Sequence, residues 1–109
     1  MANADIKQEI ARYVCIDGTV YAVKPHIKFV MQCRRGFLFG KDRKPEVVVY
    51  GKNTEWTPKK EILQAPHEKF KAVWPLRLDV EGRPDWKSRV FETTDKIQNT
   101  KLPFVDCTK

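Results

Sequence analysis

A chain of 109 residues, 41% hydrophobic and 32% charged, has the size and balance of one compact domain with a single modest core. A net charge of +7 and an isoelectric point near 9.5 favour polyanionic partners, and no run approaches the ~20 apolar residues of a membrane span. The opening Met1-Ala2-Asn3-Ala4-Asp5-Ile6-Lys7 lacks the apolar block of a signal peptide, so the cytoplasm is the expected compartment.

Apolar residues Ile6, Ile10, Tyr13 and Val14 recur at the spacing of a helical face, with Asn3 or Asp5 placed to cap it, which predicts a short N-terminal helix. Residues 13–23 then carry two β-branched and aromatic runs around Asp17-Gly18, the dipeptide that best supplies the positive φ angles of a two-residue hairpin. After Pro25, Ile27, Phe29, Met31 and Cys33 alternate with His26, Lys28, Gln32 and Arg34, the period-two pattern of a half-buried strand. Gly36 and Gly40 bracket a short strand, Phe37-Leu38-Phe39, and Val47-Val48-Val49-Tyr50 forms another after a polar turn over 41–45. The first half thus reads as a helix and a five-strand antiparallel meander.

The second half changes character. Thr57-Pro58 is a helix start, a hydroxyl cap followed by proline, and Ile62, Leu63, Phe70, Val73 and Trp74 supply apolar residues at mixed helical spacing. Pro66 splits this stretch into two short helices and Pro75 ends the second, since proline inside a helix removes a hydrogen bond. Leu76, Leu78 and Val80 alternate with Arg77 and Asp79, predicting a last strand before a turn over 81–84. Asp85 is placed to cap a helix through Trp86, Val90 and Ile97, although residues 89–94 read equally as extended. The tail, 99–109, is expected to be irregular and docked through Leu102 and Phe104. The expected fold is α+β, an antiparallel sheet of five or six strands with two or three short helices packed on one face.

If the hairpin has its two-residue loop, Arg12, Val14 and Ile16 share a face with Thr19, Tyr21 and Val23, and Tyr13, Cys15, Val20 and Ala22 line the other. Two arrangements follow. In the preferred one, helices cover Val14, Ile16 and Val23, and Tyr21 is core. In the other, Ile27, Phe29 and Met31 join the Cys15 face as the core, leaving Tyr21, His26, Lys28 and Arg34 as an aromatic and basic surface suited to single-stranded nucleic acid.

Cys15, Cys33 and Cys107 are odd in number and widely spaced, which fits neither a disulfide framework nor the paired ligands of a zinc site. They read as reduced thiols, with Cys33 a small core residue, Cys15 sharing its core face in the second arrangement, and Cys107 incidental to the tail. No residue pattern names a metal or a cofactor, and none is expected. Trp56, Trp74 and Trp86 each lie within two residues of a proline, placed to close a core or, if exposed, to anchor a partner protein.

The strongest functional signal is charge. Residues 24–44 hold seven cations, Lys24, Lys28, Arg34, Arg35, Lys41, Arg43 and Lys44, against the single carboxylate Asp42, a local +6. Such a cluster attracts phosphates or an acidic protein face, although a solvated loop that guards an edge strand is the plainer use of lysine. Arg34-Arg35 and the group 41–44 flank one strand and stand about 15 to 20 Å apart at strand rise. The leading expectation is a non-enzymatic nucleic-acid-binding module in which these cations contact phosphates and Tyr21 and Phe37 are weaker candidates for stacking. The alternative is an inhibitor or adaptor, of the kind phages and mobile elements encode, whose basic loop docks on an acidic or nucleic-acid-binding groove of a larger protein. A small ribonuclease ranks third. It would need His26 and His67 with a lysine such as Lys28 or Lys69, and nothing in the sequence brings the two histidines together.

Overall fold

The structure, a computed structural model, describes residues 11–57, 59–67, 72–78, 85–97 and 101–108. Among these the chain is built from strands. They are β1 (Arg12–Ile16), β2 (Thr19–Val23), β3 (Phe29–Gln32), β4 (Leu38–Lys41), β5 (Val47–Tyr50) and β6 (Asn53–Trp56), followed by β7 (Glu61–Ile62), β8 (Gln64–His67) and β9 (Ala72–Pro75). A single 3-10 turn, Trp86–Ser88, precedes β10 (Val90–Glu92) and β11 (Phe104–Asp106).

The β1–β2 hairpin forms as its turn dictates. Asp17 and Gly18 both have positive φ, 50° and 81°, and the register pairs Val14 with Tyr21 and Ile16 with Thr19. Beyond that hairpin only the antiparallel β3–β4 pair of the expected meander forms. β2 pairs with β11, β3 with β4 and β10, and β5 with β6, so the first five strands are divided among three sheets. Their orders are β11-β2-β1, β10-β3-β4-β7 and β5-β6, with β8-β9 as a fourth pair. Reciprocal backbone hydrogen bonds between Tyr13 and Thr94, at 2.7 and 2.8 Å, splice the first sheet to the second.

The α+β expectation is corrected here: no helix of seven or more residues occurs among the described residues. The stretch expected to hold two helices is β7, β8 and β9 instead. Pro66 does not break a helix; it sits opposite Val73 in a two-stranded hairpin, where a missing N–H is tolerated at an edge. A cycle of backbone bonds fixes this hairpin to the sheet, with Leu63 donating to Leu38, Leu38 to Leu76 and Leu76 to Leu63 at 2.8 to 3.0 Å. The strand expected over 76–80 reduces, within the described residues, to an isolated bridge between Arg77 and Phe37. Asp85 makes no side-chain cap, and the segment after Arg89 takes the extended alternative as β10. The tail is likewise ordered as β11, with the Phe104 ring 6.5 Å from Tyr13. The predicted N-terminal helix lies largely outside the described residues, and Tyr13 and Val14 belong to β1.

The principal core draws Val14, Ile16, Tyr21 and Val23 from the first hairpin, Ile27 and Val30, Leu38, Leu63 and Cys107. Strands therefore supply the cover that helices were expected to give, and Cys107 is a buried core thiol. Cys15 is exposed on the opposite face, which only the alternative arrangement assigns to the core. A second, smaller core forms on the far side of β3, where Met31 packs with Trp56 and Trp86. The two indoles meet edge to face with centroids 5.5 Å apart, and Trp56 Nε1 donates to the Gln32 carbonyl at 2.8 Å. With Val30 in one core and Met31 in the other, β3 is buried on both faces.

Candidate nucleic-acid interface

β4 carries the site because its alternate residues face different ways. Leu38 and Gly40 turn toward the principal core, and Gly40 has no room for a side chain, since a Cβ there would stand 2.7 Å from Ile27 Cγ2. Phe37, Phe39 and Lys41 take the opposite face by strand alternation. Phe39 is opposite Met31 in the ladder and packs on the second core.

Ahead of β4, residues 33–37 form a tight turn closed by hydrogen bonds from Gly36 N to Cys33 O and from Cys33 N to Phe37 O, at 2.9 and 3.0 Å. Gly36 has φ of 93°, a conformation glycine adopts without penalty. Arg34 and Arg35 stand exposed at the tip. Beside them opens a cleft of about 270 Å³ whose walls include Arg34, Arg35, Phe37, Phe39, Lys60 and Trp86. Cations sit over each of its rings: Lys60 Nζ is 4.5 Å from the Phe39 centroid, Arg77 Cζ 5.7 Å from Phe37 and Lys87 Nζ 5.8 Å from Trp86. Arg77 is held there by donating Nε to the Arg35 carbonyl at 2.7 Å. Glu55 is the carboxylate on the wall.

A second cleft, of about 390 Å³, lies at the other end of β4 among His26, Lys41, Arg43, Lys59 and Glu61. Lys41 Nζ donates to Thr57 Oγ1 at 2.7 Å, and Arg43 meets Asp42 at 3.4 Å in an exposed pair. Glu61 bridges two side chains, Lys24 at 3.1 Å and His26 at 2.6 Å. Partial burial works to raise the Glu61 pKa, but the hydrogen bonds from His26 and Lys24 prevail and hold it below its ordinary value of 4.5.

The seven sequence-chosen cations are thus dispersed. Arg34 and Arg35 serve the first cleft, Lys41 and Arg43 the second, while Lys24 is matched by Glu61. Lys28 is exposed and donates to the Pro25 carbonyl, and Lys44 is exposed in the turn after β4. Phe37 is half-buried on the wall of the first cleft. Tyr21 is 3% exposed in the principal core, and burial pushes its hydroxyl pKa up, so it forms no part of an exposed aromatic face. Phe39, Lys60, Arg77, Trp86 and Lys87 were not foreseen. The alternation within Phe37-Leu38-Phe39 could have flagged Phe39; the others are brought in from distant sequence.

His26 has Glu61 as its partner, and His67 lies on β8 of a separate two-stranded sheet. Among the described residues no group of three or more His, Cys, Asp or Glu is placed to hold a metal, and no helix is long and apolar enough to cross a membrane. The chain matches no known protein family, no curated protein and no solved structure.

Proposed function

We propose that this protein is a binding module for single-stranded nucleic acid, held in the cleft between Phe37, Phe39 and the Arg34-Arg35 turn. The observation that carries this reading is the pairing of aromatic rings with cations along one face of β4. Bases stack on rings regardless of sequence while cations track the phosphates, and each stacked base contributes about 1 to 3 kcal/mol. The 270 Å³ cleft presents Phe37 and Phe39 half-buried, firmly held yet open on one side. Free thiols at Cys15, Cys33 and Cys107 suit a reducing compartment such as the cytoplasm.

The test is titration of labelled single-stranded and duplex oligonucleotides at two salt concentrations. Single strands should bind more tightly, with log affinity falling by about 0.7 per contacted phosphate for each decade of salt. Replacing both Arg34 and Arg35 by alanine should reduce that slope by about 1.4 at most. Phe37→Ala should weaken binding by about 5- to 150-fold while leaving the slope unchanged. No binding at low salt would overturn the proposal.

A second reading, an adaptor or inhibitor of a larger protein, draws on a different observation. Val73 and Trp74 on the β8–β9 hairpin are 48% and 50% exposed. Exposed tryptophan is characteristic of interface anchors, and under this reading Trp74→Ala weakens capture of a protein partner while oligonucleotides bind neither form.

A further inference from the structure

We propose that the second cleft, among Lys41, Arg43 and Lys59, is a subsite for a phosphomonoester, so that the preferred ligand is a single strand bearing a terminal phosphate. The inference rests on the strand-binding reading above and adds to it a ligand end and a polarity.

Three features place that phosphate. The first is continuity. Phe37, Phe39 and Lys41 occupy one face of β4, so a strand stacked on the rings leads toward Lys41, about 13 Å along the strand at ~3.3 Å per residue. Lys59 and Lys60, adjacent in the chain, line different clefts, Lys60 over the Phe39 ring and Lys59 in the second cleft. Lys59 is in the left-handed region, φ 64°, an unusual conformation for a residue other than glycine and one that strained sites retain when the surroundings enforce it.

The second is the balance of charge. Two carboxylates line the cleft, Glu61 and Asp42, and Glu61 is already bridged by Lys24 and His26. Asp42 is paired with Arg43 only loosely, at 3.4 Å and in solvent. Lys41, by contrast, is fixed by a neutral hydroxyl, Thr57 Oγ1, so the hydrogen bond orients its ammonium without cancelling its charge. The third is shape. The recess is a concave cleft of about 390 Å³ with Glu61 and His26 on the wall beside the three cations, room enough for a group that ends a chain. A terminal phosphate carries about −1.5 to −2 charges, more than the −1 of an internal diester, and gains more from converging cations.

The experiment compares one internally labelled oligonucleotide in three forms, with a 5′ phosphate, with a 3′ phosphate and with both ends hydroxyl, by fluorescence anisotropy at fixed ionic strength. One phosphorylated form should bind about tenfold more tightly than the dihydroxyl form, and which one it is sets the direction of the strand along β4. Lys59→Ala, an exposed substitution, should cut that preference at least threefold, and Lys41→Met with Lys59→Ala should abolish it. The dihydroxyl strand should lose no more than about threefold in either variant, and circular dichroism should show both folded. Equal binding of all three forms would overturn the phosphate subsite while leaving strand binding intact. Failure of every form to bind would overturn both.

Discussion

Arg89 and Asp17, 72 residues apart in the chain, are joined by two parallel hydrogen bonds, Nη2 to Oδ2 at 2.7 Å and Nη1 to Oδ1 at 3.2 Å. The same guanidinium donates Nε to Gln32 Oε1 at 2.8 Å. One side chain thereby ties the β1–β2 turn, the end of β3 and the start of β10. Arg89 is 12% exposed and Asp17 47% exposed, so the two halves of the pair differ in what their loss costs. Arg89→Ala leaves the buried Gln32 oxygen without this donor and should cost about 2 to 4 kcal/mol in urea denaturation. Asp17→Asn retains the left-handed turn and an acceptor for the guanidinium, and should cost less than Arg89→Ala, about 1 to 2 kcal/mol, because the largely buried Arg89 loses its counter-charge. Equal losses would contradict this division of roles.

Gly40→Ala should cost about 1 to 3 kcal/mol by overpacking, because the new methyl meets Ile27 Cγ2 at 2.7 Å and Cδ1 at 2.8 Å in a residue that is itself fully buried. Combined with Ile27→Ala, the loss should fall short of the sum of the two single losses by at least ~0.5 kcal/mol. Strict additivity would mean that the methyl is accommodated elsewhere.

Thiol labelling of the native protein at pH 8 should separate the cysteines. Cys15 is exposed and should react freely. Cys107 is 4% exposed, and burial, aided by the Asp106 charge, pushes its pKa up to about 11, so it should react only as fast as β11 opens. Mass spectrometry of a labelling time course reads both. Comparable rates would show that β11 is undocked.

Glu61 sets an acid dependence. Its pKa lies below 4.5 in the folded protein, so the stability it confers is fully present above 4.5 and is lost as pH falls through the lowered folded value. Glu61→Gln should therefore be the less stable protein at neutral pH, by a small margin because the side chain is 39% exposed, and the gap should close in acid. A gap constant from pH 7 to 3 would refute the assignment.

What the sequence made legible was local. Asp17-Gly18 specifies its own turn, and through it the pairing of Val14 with Tyr21, because both partners lie within a few residues. Which face of that hairpin is core was decided by Leu63 and Cys107, and no pattern near Tyr21 encodes them. Pro66 misled because proline opposes a helix interior and an inner strand alike, and only the pairing with Val73 reveals a hairpin edge. The site divides in the same way. Arg34, Arg35 and Phe37 stand together in sequence, whereas Lys60, Arg77 and Trp86 reach the cleft only after folding, and the neutralisation of Lys24 depends on Glu61, 37 residues away.

β11 lies parallel to β2, with Phe104 beside Val20 and Asp106 beside Ala22, whereas every other ladder is antiparallel among the described strands. During synthesis the first hairpin can close early, but the outer edge of β2 has no partner until residue 106 has emerged from the ribosome. Until then that edge offers unpaired amides and carbonyls beside Val20 and Ala22, a template for another chain. A stop codon between Val23 and Phe104 would therefore yield a product prone to associate edge to edge, and β11 acts as a covalently tethered guard against it.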